Sequence, residues 1–239
     1  MKFFHKLLSL YKDKRLMSRL IIIPTPIGNL DDITYRSIDY LNKSDLILCE
    51  DTRRTIKLLN HLEIKKPLRS YHKFNEHNLV ENIVKRILSG EKVALVSDAG
   101  TPGISDPGYL IVSKCIENDI EVECLPGPTA LIPALVVSGL PSERFTFEGF
   151  LPIKKGRKTR LESLSNESRT MIFYESPHKI IKTITDFKTY FGGDRKVSIS
   201  KEISKIFEST SRGTLDEIVL SFENKKPKGE YVIVVSGTK

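Results

Sequence analysis

The chain has few of the residues that mark several protein classes. It has only three cysteines, Cys49, Cys115 and Cys124, and no CxxC pair. That excludes a disulfide framework and a cysteine-rich metal centre, and it fits a reducing compartment. Each thiol is expected to be a small buried hydrophobe. The five histidines show no HxxxH spacing, and no metal is expected. No apolar run reaches the length that a membrane-spanning helix needs. No short repeat or low-complexity segment is visible. No GxGxxG follows the first apolar run, so the ordinary dinucleotide fingerprint is absent.

What is present fits a soluble globular chain. Its 239 residues, 39% hydrophobic and 28% charged, suffice for one large or two small α/β domains. A net charge of +8 favours a polyanionic partner, although a lysine-rich proteome gives the same balance. The first residues carry Phe3, Phe4, Leu7, Leu8 and Tyr11 among five lysines and arginines before Met17. His5 and Lys6 break that apolar run, and no convincing cleavage site follows. Residues 1–17 are expected to be a largely disordered extension. A weak amphipathic contact with membrane or RNA is the alternative.

The chain is organised around ALVSDAGTPGISDPG at residues 94–108. An apolar run leads straight into a loop of Gly, Pro, Ser and Asp. The pattern predicts a buried strand, a tight loop and a helix start, with Tyr109, Leu110, Val112 and Ile116 as candidate core positions. In open α/β sheets, ligands bind at the carboxyl ends of the strands. Glycines there let backbone approach a ligand, and N–H groups at a helix start favour polar or anionic groups. A purely structural turn is the competing reading.

Residues 19–24 read as a buried first strand, ending in the stiff loop Pro24-Thr25-Pro26-Ile27-Gly28-Asn29. Asp31 and Asp32 are expected to cap a helix running to Leu41. A strand over 45–49 ends at Glu50-Asp51-Thr52-Arg53-Arg54. This is either a helix start capped by Thr52 with solvated arginines, or a cluster in which Arg53 and Arg54 hold phosphate. A short strand over 68–71 leads into His72-Lys73-Phe74-Asn75. Phe74 suits stacking on an unpaired base, with His72, Lys73 or Asn75 contacting RNA. The alternative is a polar loop with Asn75 capping a helix over 76–88. A strand over 121–125 precedes Pro126-Gly127-Pro128-Thr129-Ala130 and a further helix. The second half repeats α/β material, with strands over 144–150, 170–174, 196–200 and 230–235. A hairpin-like stretch near 207–213 and a helix from Thr214 precede the last strand. Lys154, Lys155, Arg157 and Lys158 form the densest basic run, either a flexible solvated loop or a phosphate-contacting one. His178 has no identifiable partner and is expected to be structural or exposed.

The 94–108 run resembles the signature of the 16S ribosomal RNA cytidine-2'-O-methyltransferases, a branch of the tetrapyrrole-methylase superfamily. PTPIGNLDDI at 24–33, EDTR at 50–53 and LPGPTA at 125–130 agree with it in order and spacing, and KGE at 228–230 resembles a further element of the family. The likeness extends over about residues 19–239. It implies an α/β fold of two domains of the tetrapyrrole-methylase type, 18–128 and 129–239, with the cofactor cleft between them, and a homodimer. It implies S-adenosyl-L-methionine as cofactor, contacted by Pro24, Thr101, Ile104, Thr129, Ala130, Tyr174, Glu202 and Gly229. Many tetrapyrrole methylases carry an acidic residue, in a GDP sequence, where Thr101 aligns; the departure fits the ribosomal RNA branch.

The implied substrate is a cytidine in the decoding region of 16S rRNA in the small ribosomal subunit, methylated on its ribose 2'-hydroxyl by a cytoplasmic enzyme. The implied RNA contacts are Arg53, Arg54, His72, Lys73, Phe74, Asn75, Lys154, Lys155, Arg157 and Lys158. A sulfonium already activates the methyl group, so the protein must align the reactants and take up the hydroxyl proton. Asp51, Glu175 and Lys201 are the catalytic candidates; Glu50 and Glu202 also sit at strand ends. Lys201 would act as a base only if burial lowered its pKa. Longer members of the family carry an extra helical C-terminal segment. RNA docking here is expected to use the two core domains, the dimer partner or the N-terminal extension. A tetrapyrrole methyltransferase and a non-catalytic ribosome-binding protein of the same fold are the alternatives.

Overall fold

A computed structural model describes residues 19–238. The expected disordered extension, 1–17, lies outside the described residues. The described chain divides into two compact units: residues 19–26 with 30–128, and residues 27–29 with 129–238.

The first unit is an open parallel sheet. Its strands are β1 (Arg19–Ile23), β2 (Leu46–Cys49), β3 (Leu68–Ser70), β4 (Val93–Val96) and β5 (Glu121–Cys124), in the order β3-β2-β4-β1-β5. The helices are α1 (Tyr35–Lys43), α2 (Thr52–His61), α3 (Glu76–Leu88) and α4 (Tyr109–Glu117). β1, β2 and β4 are buried throughout, as strands covered on both faces must be. Their side chains alternate between two cores. Leu20, Ile22, Leu48 and Leu95 meet Ile83 and Ile87 of α3 and Ile111 of α4. Ile21, Ile23, Ile47 and Val96 meet Leu41 of α1 and Leu59 of α2.

Several local expectations are corrected here. Thr34, not Asp31 or Asp32, caps α1, accepting the Ser37 N–H at 3.0 Å; the two aspartates lie in a short 3-10 turn before it. On α4 the buried positions are Ile111 and Cys115, while Tyr109 and Ile116 face outward. The helix is apolar nearly all round, so periodicity alone could not choose its face. Gly108 chooses it: a Cβ there would lie 3.2 Å from Gly103 Cα, and this close approach sets the angle at which the helix leaves the loop. Cys124 is exposed because β5 is an edge strand; Cys49 and Cys115 are buried as expected.

The second unit begins with α5 (Leu131–Ser138) and holds a mixed sheet. Its strands are β6 (Phe145–Gly149), β7 (Thr170–Glu175), β8 (Lys196–Lys201), β9 (Ser209–Thr214) and β10 (Tyr231–Val235), in the order β6-β7-β10-β8-β9. β6 and β7 are parallel and the remaining pairs antiparallel. One face carries Leu131, Ala134 and Leu135 of α5. The other carries α6 (Arg157–Leu164), α7 (Ile180–Phe191) and α8 (Leu215–Ser221), with Phe173, Phe187 and Phe191 packed in a row at centroid distances of 4.7 and 4.9 Å. Thr214 and Glu217 close α8 with a reciprocal capping box.

The basic run at 154–158 is not a flexible loop throughout, because Arg157 opens α6. Its guanidinium, 7% exposed, donates to Asp186 at 2.8 Å, to Thr183 Oγ1 at 2.9 Å and to the Pro152 carbonyl at 3.1 Å. Thr183 in turn donates to Glu175 at 2.7 Å. Arg157 is thus corrected from an RNA contact to the internal strut that joins α6 to α7. Replacing it with Ala leaves Asp186 and Thr183 without their buried donor. We expect a loss on the order of 3 kcal/mol, read as a lower urea midpoint with an unchanged slope; an unchanged midpoint would contradict the strut.

Candidate active site at the carboxyl edge of the parallel sheet

Parallel pairing sends the loops after β1, β2, β3, β4 and β5 to one edge, and three of these loops are tied together. Thr25 and Gly100 exchange two backbone hydrogen bonds of 3.0 Å. Thr25 Oγ1 donates to the Ser97 carbonyl at 3.1 Å, and Ser97 Oγ to the Gly100 carbonyl at 2.7 Å. Thr101 Oγ1 donates to the Pro128 carbonyl at 2.9 Å. Gly127 closes the set, since a Cβ there would stand 2.6 Å from the Pro24 ring. Pro24, Thr101 and Ile104 therefore lie on loops joined by short internal contacts. The Thr101 hydroxyl proton is committed to that latch, which leaves its methyl and backbone to meet a ligand. Gly103 has φ +83°, and nothing lies within 4 Å of the place its Cβ would take. The space beside its Cα is open, next to the exposed side chain of Ile104.

Charged groups gather at the ends of β2, β3 and β4. Asp98 accepts the Asp51 N–H at 3.0 Å and pairs with Arg54 at 3.5 Å. Asp51 caps α2, accepting the Arg53 N–H at 2.9 Å and the Arg53 guanidinium at 3.0 and 2.7 Å. Those bonds, the side-chain ones first, hold its pKa down to about 2. Asp51 therefore does not stand as the proton acceptor: it is a helix cap and ion-pair partner whose carboxylate is a weak base. It also takes the capping role assigned to Thr52.

Glu50 behaves in the opposite way. Burial, reinforced by the charge of Asp98, raises its pKa, while His72, Lys73 and Arg54 pull it down. Asp106 moves furthest: burial first, then Glu50 and Asp98, pushes its carboxyl to about 7. Asp98 and Asp106 are the residues that sequence reasoning missed. Both stand inside the quoted 94–108 run, but their meaning depends on Glu50, which arrives from another strand.

The loop after β3 brings its predicted residues together. Phe74 is 82% exposed, with the His72 ring edge-on at 6.0 Å and Lys73 Nζ 4.9 Å from its centroid. Asn75 instead looks inward: it accepts the His72 N–H at 2.8 Å and donates to the Ser70 carbonyl at 3.2 Å. Its amide neither caps α3 nor reaches out to a ligand; it shapes the loop that presents Phe74.

In the second unit, Glu175 is 4% exposed and both carboxylate oxygens are occupied, by the Ser176 N–H and by Thr183 Oγ1, each at 2.7 Å. It belongs to the Arg157 strut and is corrected from the catalytic candidates. Lys201 ends β8, half-buried. Glu202, at φ +53°, accepts the Glu230 N–H and Lys205 Nζ, each at 2.9 Å. Burial opposes its charge, but those two donors keep its pKa below the ordinary value. Gly229, at φ +84°, lies under it; a Cβ there would come within 2.5 Å of Glu202 Cγ. Tyr174 meets Phe147 and Phe150 edge-on, at 4.9 and 5.8 Å. Thr129 and Ala130 are half-buried at the start of α5.

An open parallel sheet with glycine-opened loops and a perturbed carboxyl at its carboxyl edge defines an α/β protein built to take a small polar ligand there. The family described as Tetrapyrrole (Corrin/Porphyrin) Methylases matches residues 19–219, and the chain belongs to that family. Ribosomal RNA small subunit methyltransferase I of Thermotoga maritima is 48% identical over 221 residues, covering 92% of this chain and 99% of that protein. The protein of the same name from Xylella fastidiosa is 50% identical over 222 residues, covering 91% and 81%. Among solved structures, uroporphyrin-III C-methyltransferase from Thermus thermophilus, in complex with S-adenosyl homocysteine, shares the fold. Its TM-score is 0.62 at 14% identity, over 91% of this chain and 97% of that one.

The raised pKa of Asp106 has a consequence for stability. The folded protein keeps this proton where the unfolded chain has lost it, so stability falls as pH rises from about 4, the ordinary aspartate range, through 7. Asp106→Asn removes that dependence. Its urea midpoint is expected to exceed the wild type's at pH 8 and to match it at pH 4; equal pH profiles would contradict the burial of this carboxyl.

Proposed function

We propose that this chain is an S-adenosylmethionine-dependent methyltransferase that modifies 16S ribosomal RNA on a ribose 2'-hydroxyl, at a cytidine of the decoding region. The observation that carries the reading is identity near one half, over nearly the whole chain, to proteins named ribosomal RNA small subunit methyltransferase I. The reading includes a homodimer and a cytoplasmic location.

The residues of the first unit fit the cofactor. The open space beside Gly103, exposed Ile104 and the walls made by Pro24 and Thr101 offer what a nucleoside-bearing ligand takes: room for close approach to the backbone beside an apolar side chain. When bound, S-adenosylmethionine supplies a methyl group already activated by its sulfonium. The chain's own task is to place the ribose hydroxyl and receive its proton.

Asp106 is the group suited to receive it. A base works best when its pKa lies near the working pH, and Asp106 is pushed to about 7, whereas Asp51 is held at about 2. Arg53, Arg54 and Lys73 would hold backbone phosphates and Phe74 would stack on a base. The proton passes from the 2'-hydroxyl to the Asp106 carboxylate, so the rate rises with pH through the Asp106 titration.

The test is transfer of labelled methyl to small ribosomal subunits from cells lacking this gene, with the modified nucleotide mapped. Label on a decoding-region cytidine ribose is expected, and label on no subunit RNA would overturn the reading. Asp106→Asn is expected to lower kcat by about a hundredfold or more, leave cofactor affinity within a few-fold, and flatten the pH–rate profile near 7. A variant that keeps the wild-type profile would remove Asp106 from the proton transfer. Thr101→Arg is expected to abolish cofactor binding by calorimetry while the fold persists; unchanged affinity would place the cofactor elsewhere.

A further inference from the structure

The lysines around Arg157 do not form a flat solvated face. They rim a cavity of about 600 Å³ in the second unit, between α6 and α7. Lys154 comes from the loop before α6 and Lys158 from its first turn; Lys179 is the N-cap of α7 and Lys182 lies in its first turn. Lys179 and Lys182 lie outside the basic run that the sequence picks out. They join it only because the Arg157 strut holds the two helices side by side.

The charge balance of this cavity is one-sided. Asp186 is its only lining carboxylate, and Arg157 already neutralises it at 2.8 Å. Lys182 stands 3.7 Å from the same Asp186, and Lys158 3.7 Å from Glu162 beyond the rim. Lys154 and Lys179 join no ion pair among the described residues. Four ammonium groups thus surround a concave site whose one acid is already satisfied, and low-dielectric walls focus their field into it. Exposed Ile153 and the half-buried ring of Tyr190 line the cavity and offer apolar surface beside the charges. Lysines set in a row around a groove suit a chain of phosphates, each a point charge that needs no fixed donor fork. An acidic peptide would meet the same charges but would leave the ring of Tyr190 in the lining unused.

We infer that the α6–α7 groove is a binding site for the phosphodiester backbone of single-stranded RNA, held by Lys154, Lys158, Lys179 and Lys182. The inference rests on the proposed RNA substrate. Lys155 extends the same basic edge, whereas Arg157 builds the groove rather than reaching into it.

The test compares the full-length protein with a variant carrying Ala at Lys154, Lys158, Lys179 and Lys182. A control variant carries Ala at Lys43, Lys85, Lys225 and Lys226. Binding of a mixed-sequence oligoribonucleotide is followed against salt, and methyl transfer to small subunits is measured alongside. Neutralising the groove is expected to weaken binding at least tenfold at low salt. The log–log salt slope should become shallower by about 3, from roughly 0.7 per phosphate contact on a single strand. Three results would overturn the groove: an unchanged slope, an equal change in the control variant, or a polyglutamate peptide that displaces the RNA at equal charge concentration. If wild type transfers no methyl to subunits but the groove variant still loses its salt slope, the enzyme assignment fails and the RNA groove stands. If methyl transfer and binding both survive in the variant, the groove fails and the assignment stands.

Discussion

The two backbone hydrogen bonds between Thr25 and Gly100 join the ends of β1 and β4, strands that are neighbours in the sheet but far apart in the chain. Everything at the carboxyl edge follows from that closure. Ser97 and Thr25 turn their hydroxyls into it, Thr101 reaches from it to Pro128, and Gly127 lets the third loop close against Pro24. Once the 97–101 segment is held this way, the chain beyond it must turn sharply to start α4. Gly103 and Gly108 make that turn possible, and the space where a Gly103 side chain would stand is left empty. A ligand site needs a rigid wall and an unfilled space, and here one set of contacts produces both.

The electrostatics of the edge depend on the same geometry. Burial comes first in raising the pKa of Glu50 and Asp106, and the neighbouring charges, Asp98 on Glu50 and both on Asp106, come close enough to add to it only because the strands are parallel and in register. Asp51 escapes this fate because Arg53 lies two residues on and clamps both its oxygens. Two acids in adjacent loops are thereby driven apart in basicity, one toward a helix cap and the other toward a proton acceptor. Burial on one side and an arginine partner on the other, rather than residue type, separate their roles.

The second unit makes the same distinction among cations. Arg157 has a rigid fork of donors and is buried with Asp186, Thr183 and the Pro152 carbonyl, while the neighbouring lysines keep their ammonium groups at the rim. Guanidinium satisfies several fixed acceptors at once and is therefore the group that can be buried. Ammonium on a flexible stem is better left solvated or offered to a moving polyanion. Glu202, Lys205 and Glu230 form a more exposed clamp over Gly229.

The alternating α/β order, the buried central strands and the glycine-rich turn after β4 were legible in the sequence, because hydrophobic periodicity and turn chemistry are local. So were the helix from Thr214 and the family likeness carried by the 94–108 run. The outward face of Tyr109, the exposure of Cys124, the burial of Arg157 and Glu175, and the basicity of Asp106 were not legible. Each depends on which distant residue arrives opposite: Gly103 against Gly108, an empty edge beside β5, Thr183 between Arg157 and Glu175, Glu50 beside Asp98 and Asp106. Sequence alone determined the elements and the chemistry on offer. Tertiary structure decided which charged groups are buried and which meet solvent, since the cost of burying a charge is set by its three-dimensional neighbours.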